Sequence, residues 1–178
     1  MKDFTFEEQL DASSQDEIRT ILASANAFSS REIEVATELV RENLEKGSIR
    51  SGYFFLLARD KSGRMAGFTC FGPIPCTVHS YDLYWIAVYE DCRGMGLGGN
   101  LYLKTEAQVK KRGGKKIYAE TSGREDYRLT RNFYQGMGFK ELCRLEEFYA
   151  PGDDKVIYGK TLNTIRTRDT ALRCPEAG

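Results

Sequence analysis

The stretch Cys92-Arg93-Gly94-Met95-Gly96-Leu97-Gly98-Gly99-Asn100, or CRGMGLGGN, decides how the rest of this sequence is interpreted. Glycine has no Cβ, so such a loop lets the backbone come close to a ligand. The apolar segment YDLYWIAV (81–88) precedes it and a helical pattern follows it. Its amides would therefore lie at a helix N-terminus, where free N–H groups and the helix dipole favour an anion. We interpret the stretch as a phosphate cradle.

The glycines at 94, 96 and 99 also satisfy G-x-G-x-x-G, the dinucleotide-binding pattern. In that fold the strand runs almost directly into the first glycine, whereas here residues 89–93 intervene. The later part of the chain also predicts antiparallel hairpins instead of repeated strand–helix–strand units. A dinucleotide oxidoreductase is therefore a distant alternative, and a kinase loop is excluded because neither H-R-D nor D-F-G occurs.

Length and composition favour one globular domain. The chain has 178 residues, and its 26 basic and 26 acidic residues give a formal net charge of zero, which argues against a nucleic-acid binder. No apolar run reaches membrane-spanning length, and the start resembles no signal peptide, so we expect a cytoplasmic protein with no membrane contact. Five cysteines without a C-x-x-C pair predict neither a disulfide framework nor a metal site.

Start and stop signals predict two helices in the first fifty residues. Ser14 with Glu17, and Ser29 with Glu32, have the spacing of a capping box, and Gly47 is typical of a helix end. Later in the chain, two further helices are predicted by apolar positions at helical spacing, with Gly138 closing the last one. The predicted core-facing residues of these two helices are Leu97, Leu101, Thr105 and Val109, then Leu129, Phe133 and Met137.

Seven segments have the pattern of strands, and they are FTFEEQ, YFFLLAR, MAGFTCF, YDLYWIAV, KIYAET, ELCRLEEFY and KVIYGKTL. The fourth is apolar on both faces, so we place it in the middle of a sheet. Two pairs of neighbouring segments are joined by turn residues, DKSG and APGDD, which predicts hairpins. The sequence thus predicts a single α+β domain over residues 1–162, followed by a polar tail over 163–178.

Two motifs together resemble the GNAT acetyltransferase superfamily. One is IAVYEDCRGMGLGGNLY (86–102), which contains R-x-x-G-x-G, and the other is NFYQGMGF (132–139). The resemblance implies a mostly antiparallel, splayed sheet of about seven strands with helices on both faces. It also implies acetyl-CoA as co-substrate, with its pyrophosphate at the glycine loop. The residues that the resemblance assigns to the coenzyme are Ile86, Ala87, Val88, Arg93, Gly94, Met95, Gly96, Leu97, Gly98, Gly99, Thr130 and Tyr134.

Acetyl transfer from a thioester to an amine needs no enzyme nucleophile, but it needs a base, an oxyanion donor and an acid. The resemblance assigns the acid that protonates the coenzyme sulfur to Tyr134, and the oxyanion donor to the backbone N–H of Val88. This chain has Tyr127 and Thr130 where the family often has Asn and Ala, which puts the usual asparagine contact to the coenzyme in doubt.

Asp82 is our candidate base, because a carboxylate is out of place in so apolar a strand. Glu120, at the end of the next strand, is a rival, and His79 is a weaker one because it precedes the strand. Strand alternation puts Tyr84 on the face of Asp82, and we expect Tyr84 and Glu120 to contact the acceptor.

The function that follows is an N-acetyltransferase acting on a primary amine, with a small molecule as the first hypothesis for the acceptor. A protein or peptide N-acetyltransferase and a non-catalytic CoA-binding sensor are alternatives. A homodimer across the sheet edge is a further hypothesis.

Overall fold

The computed structural model describes residues 3–25 and 28–162, so the predicted tail over 163–178 lies outside the described residues. The helices in this part of the chain are Ser14–Ser24 (α1), Ser30–Ser51 (α2), Leu97–Lys111 (α3) and Arg128–Gly136 (α4). The strands are Thr5–Glu7 (β1), Phe54–Arg59 (β2), Met65–Pro73 (β3), Ser80–Val88 (β4), Lys116–Ser122 (β5), Lys140–Ala150 (β6) and Asp153–Thr161 (β7).

The strands form one sheet in the order β1-β2-β3-β4-β5-β7-β6, with β4 at its centre as predicted. Every neighbouring pair is antiparallel except β4 and β5. These two pair only through residues 80–82 of β4 and 116–118 of β5, and no later residue of β4 pairs with β5. The sheet is therefore splayed between its two central strands.

Helices cover both faces of the sheet. On one face, Ile18 of α1 and Val40 of α2 pack against β2, β3 and the end of β4. On the other face, Leu101 and Val109 of α3 are fully buried against the sheet, as the helical spacing predicts. The mixed α+β fold with a mostly antiparallel, splayed sheet is confirmed.

One of the two predicted capping boxes is present. At the start of α2, Ser29 N–H donates to Glu32 Oε2 (2.7 Å) and Glu32 N–H donates to Ser29 Oγ (3.3 Å). The prediction of a capping box on Ser14 is wrong. Ser14 is the first residue inside α1, and the carboxylate of Asp11 instead accepts from the N–H groups of Ser13 (2.9 Å) and Ser14 (3.0 Å). An aspartate one turn earlier thus replaces the serine cap.

The end of α2 was predicted at Gly47, and the structure places a kink there. Gly47 has φ 74° and ψ 159°, which interrupts the helix, but a further turn follows before Gly52 ends it at φ 76°. Gly47 therefore correctly predicts a break in the helix, but the helix ends five residues later, at Gly52.

The prediction for the core face of α4 is correct for Phe133 and Met137, which pack against the core, and wrong for Leu129. Leu129 is 74 % exposed, Phe133 and Met137 are only partly buried, and Tyr134 is 4 % exposed. The helix is short, so its rotation is set by the aromatic surface beneath it more than by its own periodicity. The ring of Tyr134 packs on that surface, with its centroid 5.5 Å from the ring of Tyr158 in β7.

A charged network fastens the end of α4 to the rest of the fold. Lys160 Nζ donates to Met137 O (2.7 Å) and to Glu106 Oε2 (2.6 Å). Glu106 also accepts from Lys110 Nζ (2.6 Å) and the Tyr102 hydroxyl (2.9 Å). Burial raises the pKa of Glu106, but these hydrogen bonds outweigh burial and lower the pKa to about 2. The network links α3, α4 and β7.

This network predicts a pH-dependent stability. A carboxyl whose pKa is lower in the folded state stabilises the fold above its unfolded pKa, near 4.3, and that contribution is lost as the pH falls towards 2. We expect Glu106→Gln to be less stable than the parent at pH 6, with the difference shrinking between about pH 5 and pH 2. Urea unfolding at several pH values measures the difference in the free energy of unfolding between the parent and the variant. Glu125→Gln, at an exposed position, is the control. Parallel stability curves for the parent and Glu106→Gln would contradict it.

Candidate active site

The glycine loop presents unpaired backbone amides. Gly94 and Gly96 have φ 73° and 76°, a left-handed conformation that favours glycine, and α3 begins directly after Gly96. No side chain caps α3, and the N–H groups of residues 94–99 donate to no acceptor in the described chain. These amides and the positive end of the helix dipole can hold an anion.

A cavity of about 280 Å³ lies beside this loop. Six residues that the sequence assigned to the coenzyme line it, namely Ile86, Ala87, Val88, Arg93, Gly98 and Thr130. The sequence analysis missed the other lining residues, which are Ala25, Phe28, Asp126, Leu129 and Phe133. The cavity is therefore bounded by the end of α1, the end of β4, the start of α3 and α4.

The remaining loop residues contribute differently. Leu97 is 1 % exposed and packs in the core, so only its N–H group can contact a ligand. Met95 is 42 % exposed at the tip of the loop. The side chain of Arg93 is exposed and makes no hydrogen bond or ion pair with any residue between 3 and 162 that the structure describes. Its guanidinium is available to an anion in the cavity.

The splay leaves an open backbone edge along β4. Tyr89 N–H donates to Ala66 O (2.8 Å), so Tyr89 turns its polar backbone groups towards β3. In an antiparallel ladder alternate residues do the same, which assigns Ala87 to β3 as well. The N–H and C=O groups of Ile86 and Val88 consequently point into the gap beside β5. The N–H and C=O groups of Ala87 are therefore turned away from this gap, although Ala87 also lines the cavity.

A bulge re-aims the side chains in the middle of β4. The register with β3 shifts between Cys70 and Phe71, opposite residues 83–85. Tyr84 and Trp85 consequently both pack in the cluster below α1 and α2, where strict alternation would separate them. The bulge lies at the point where β4 leaves β5, so both features widen the same gap.

Tyr134 lies close to the cavity without lining it. Its ring packs between Phe139 (5.4 Å) and Tyr158 (5.5 Å), and beside Phe133 (5.8 Å), which does line the cavity. The Tyr134 hydroxyl makes no hydrogen bond to a described residue. Among the described residues, every fully buried side-chain oxygen has a hydrogen-bond partner, so the Tyr134 oxygen is not fully buried. The hydroxyl therefore reaches accessible space. Burial and the neighbouring Tyr158 raise the pKa of Tyr134, so it keeps its proton.

Comparison with known proteins agrees with this geometry. A sequence profile described as the acetyltransferase (GNAT) family matches residues 17–139. A GNAT-family protein from Desulfovibrio desulfuricans is 39 % identical, with a TM-score of 0.86, over 89 % of this chain and 99 % of that one. The chain belongs to the GNAT acetyltransferase family. It is therefore an acyltransferase by family, and no curated protein matches it.

Two more distant structures share the GNAT fold with this chain. The ribosomal-protein-S18-alanine N-acetyltransferase from Escherichia coli is 20 % identical, with a TM-score of 0.72, over 93 % of this chain and 98 % of that one. An aminoglycoside 6'-N-acetyltransferase complexed with coenzyme A is 18 % identical, with a TM-score of 0.71, over 90 % and 98 %. At these identities the two comparisons show a shared fold only. The ribosomal-protein and aminoglycoside substrates are those of the two compared proteins.

The candidate base of this GNAT chain lies on the face of the sheet below α1 and α2. Asp82 is partly buried and makes no hydrogen bond or ion pair with any described residue. Burial, and then the charge of Glu120, raise its pKa to about 6, while Lys155 opposes the rise. Glu120 itself is exposed and forms an ion pair with Lys155. The rival His79 is exposed in the loop before β4.

The structure brings the predicted acceptor residues together. Burial, and then the charge of Asp82, raise the pKa of Tyr84 to about 12, so these two groups interact, as Asp82 and Glu120 do. None of the three lines the cavity beside the glycine loop. Asp82, Tyr84 and Glu120 thus form a second region, outside the cavity beside the glycine loop.

Aromatic residues that the sequence analysis did not assign connect the two regions. The ring of Phe28 lies 5.6 Å from Trp85 and 6.3 Å from Tyr127, and Phe28 also lines the cavity. The Tyr127 hydroxyl donates to Glu32 Oε1 (3.1 Å) at the start of α2. Four separate elements supply these side chains, so no local sequence signal predicts their meeting.

Proposed function

We propose that this chain is an acetyl-CoA-dependent N-acetyltransferase that moves the acetyl group directly to a primary amine of a small molecule. The observation that carries the proposal is that one segment of the chain, from β4 into the glycine loop, holds an unpaired carboxylate, an open strand edge and an anion cradle. The amides of residues 94–99 and Arg93 would hold the pyrophosphate. Ile86 and Val88 would bond the amides of the pantetheine arm like an added strand.

The proposed chemistry uses three groups around the thioester. Asp82 accepts a proton from the amine, because a carboxyl with a pKa of about 6 is mostly ionised at neutral pH. The amine nitrogen then bonds to the thioester carbon while the Val88 N–H stabilises the oxyanion. Tyr134 donates its proton to the sulfur as the C–S bond breaks, and the extra proton still on the tetrahedral nitrogen then restores the Tyr134 hydroxyl. Keeping a lysine-like amine neutral at pH 7 costs about 4–5 kcal/mol, which is the reason for a base.

The proposal predicts a defined pH profile. Asp82 must be ionised to act as a base, so kcat/KM for the amine should fall below about pH 6. Asp82→Asn should remove this limb and lower kcat by about 10²–10⁴-fold, with little change in acetyl-CoA affinity. Glu120→Gln is the matched variant, and it should keep turnover and move the limb to lower pH. If Glu120→Gln abolishes turnover and Asp82→Asn does not, Glu120 is the base.

The alternatives are tested by acceptor panels. Release of free CoA with small amines supports the proposal, and release with peptides alone would favour a peptide N-acetyltransferase. Tight coenzyme binding with no transfer to either panel would favour a CoA-binding sensor. We also propose a cytoplasmic location, where cysteines stay reduced. No helix in the described ranges has the length and apolarity to cross a membrane. A homodimer through the edge strand β6 stays a prediction.

A further inference from the structure

The carboxylates of Asp82, Glu120, Asp153 and Glu32 are unequally paired. Glu120 is bound to Lys155, and Asp153 accepts from the Ser122 hydroxyl and lies 3.5 Å from Arg124. On the opposite wall the Glu32 carboxylate accepts from the Ser29 N–H and from the Tyr127 hydroxyl. Asp82 alone among these four carboxylates has neither a hydrogen bond nor an ion pair within the described chain. The region has one carboxylate free for one ammonium group.

The rest of the wall near Asp82 is aromatic. Tyr84 meets Tyr53 edge to face, with ring centroids 5.4 Å apart, and Trp85 meets Phe28 in the same way at 5.6 Å. All four rings are partly exposed. Burial, and then the charges of Glu120, Asp153 and Glu32, raise the pKa of Tyr149 in the hairpin of β6 and β7. Half-exposed rings of this kind bind apolar or aromatic groups, and their faces also attract a cation.

We infer, on the basis of the proposed function, that the acceptor is a primary amine with a single positive charge, carried on an aromatic or bulky apolar body. The ammonium group binds at Asp82, and the body packs on Tyr84 and Trp85. A polycation such as a polyamine or an aminoglycoside fits less well. A second ammonium group beside Asp82 would have to separate Glu120 from Lys155, the charged pair that acts on Asp82.

Trp85 allows the test to be made without turnover, because it is the only tryptophan in the sequence and lies in this region. We expect phenethylamine to saturate a change in Trp85 fluorescence at a concentration at least about tenfold lower than spermidine or kanamycin. Asp82→Asn should raise the Kd of phenethylamine by about tenfold or more, because an ammonium loses its carboxylate. Tyr84→Leu should raise it by a similar factor. The matched aromatic variant Phe6→Leu, on the remote strand β1, should leave it unchanged.

The outcomes separate this inference from the proposed function. If spermidine or kanamycin binds more tightly than phenethylamine and supports CoA release, the inference is wrong and the N-acetyltransferase proposal stands. If phenethylamine binds with the expected variant pattern but no amine supports CoA release from bound acetyl-CoA, the proposed transfer fails while the binding preference holds. Equal binding of all three amines, insensitive to Asp82→Asn, contradicts the inference.

Discussion

Tyr134→Phe is expected to lower kcat for acetyl transfer by about a hundredfold, with little change in the KM for acetyl-CoA. The variant removes the hydroxyl that we assign to protonation of the coenzyme sulfur. General acid catalysis typically contributes about 10²–10⁴-fold, and a thiolate leaves tolerably well without help, so we expect the low end of that range. A proton given to the departing thiolate acts in the transition state, so coenzyme binding should not suffer.

The packing of Tyr134 allows the hydroxyl to be removed without disturbing the ring contacts. Phenylalanine keeps the ring contacts with Phe139 and Tyr158, and the lost hydroxyl makes no hydrogen bond to a described residue. The folded state should therefore lose little stability, and a loss of kcat can be assigned to the missing proton. Because burial raises the pKa of Tyr134, its protonation state should also not limit activity at neutral pH.

Tyr158→Phe is the matched control. It removes a hydroxyl from the adjacent ring, where that hydroxyl donates to Glu141 Oε2 (3.3 Å) in β6. We expect this variant to keep the parent kcat. Single-turnover measurements with a good acceptor would show whether chemistry limits the rate. If Tyr134→Phe then transfers acetyl as fast as the parent, the general-acid role is wrong.

Elements with strong local signals could be predicted from the sequence. The glycine loop, the strand before it and the helix after it are contiguous, and Leu97, Leu101 and Val109 repeat at the spacing that the structure buries. The cavity wall formed by Ile86, Val88 and Arg93 belongs to the same segment. The rotation of α4 has no such signal. Nine residues give too few turns to define a face, and the aromatic rings of distant strands decide it.

Features that depend on pairing between distant segments could not be predicted. The bulge that turns both Tyr84 and Trp85 to one face arises from the register of β4 on β3, which alternation within β4 does not reveal. The absence of a hydrogen-bond or ion-pair partner for Asp82 among the described residues also depends on contacts between distant segments. A carboxylate in an apolar strand is visible in the sequence, but Lys155, the cation that acts on it, is held by Glu120, and only the fold shows this.

Gly98→Val is expected to raise the Kd for acetyl-CoA by at least about a hundredfold while the protein stays folded, because bare backbone at this position lets phosphate approach the amides. Gly98 lines the cavity and its φ is not in the left-handed region. A Cβ there would meet Phe133 Cε2 at 3.6 Å and Val88 Cγ2 at 3.7 Å, which are ordinary contacts. The helix can hold the new side chain, but its methyl groups would occupy the space between β4 and α4.

Gly99→Val makes the same change one position later in the first turn of α3 and keeps the Gly99 N–H, so we expect it to weaken acetyl-CoA binding less than Gly98→Val does. Its Cβ would lie 3.9 Å from Met137 Cε, towards the end of α4, and Gly99 does not line the cavity. Gly96→Val is less suitable, since φ 76° at Gly96 would add backbone strain and lower the stability together with binding. Calorimetric titration with acetyl-CoA, alongside thermal unfolding, measures both properties. If folded Gly98→Val binds acetyl-CoA as the parent does, the coenzyme does not occupy this cavity.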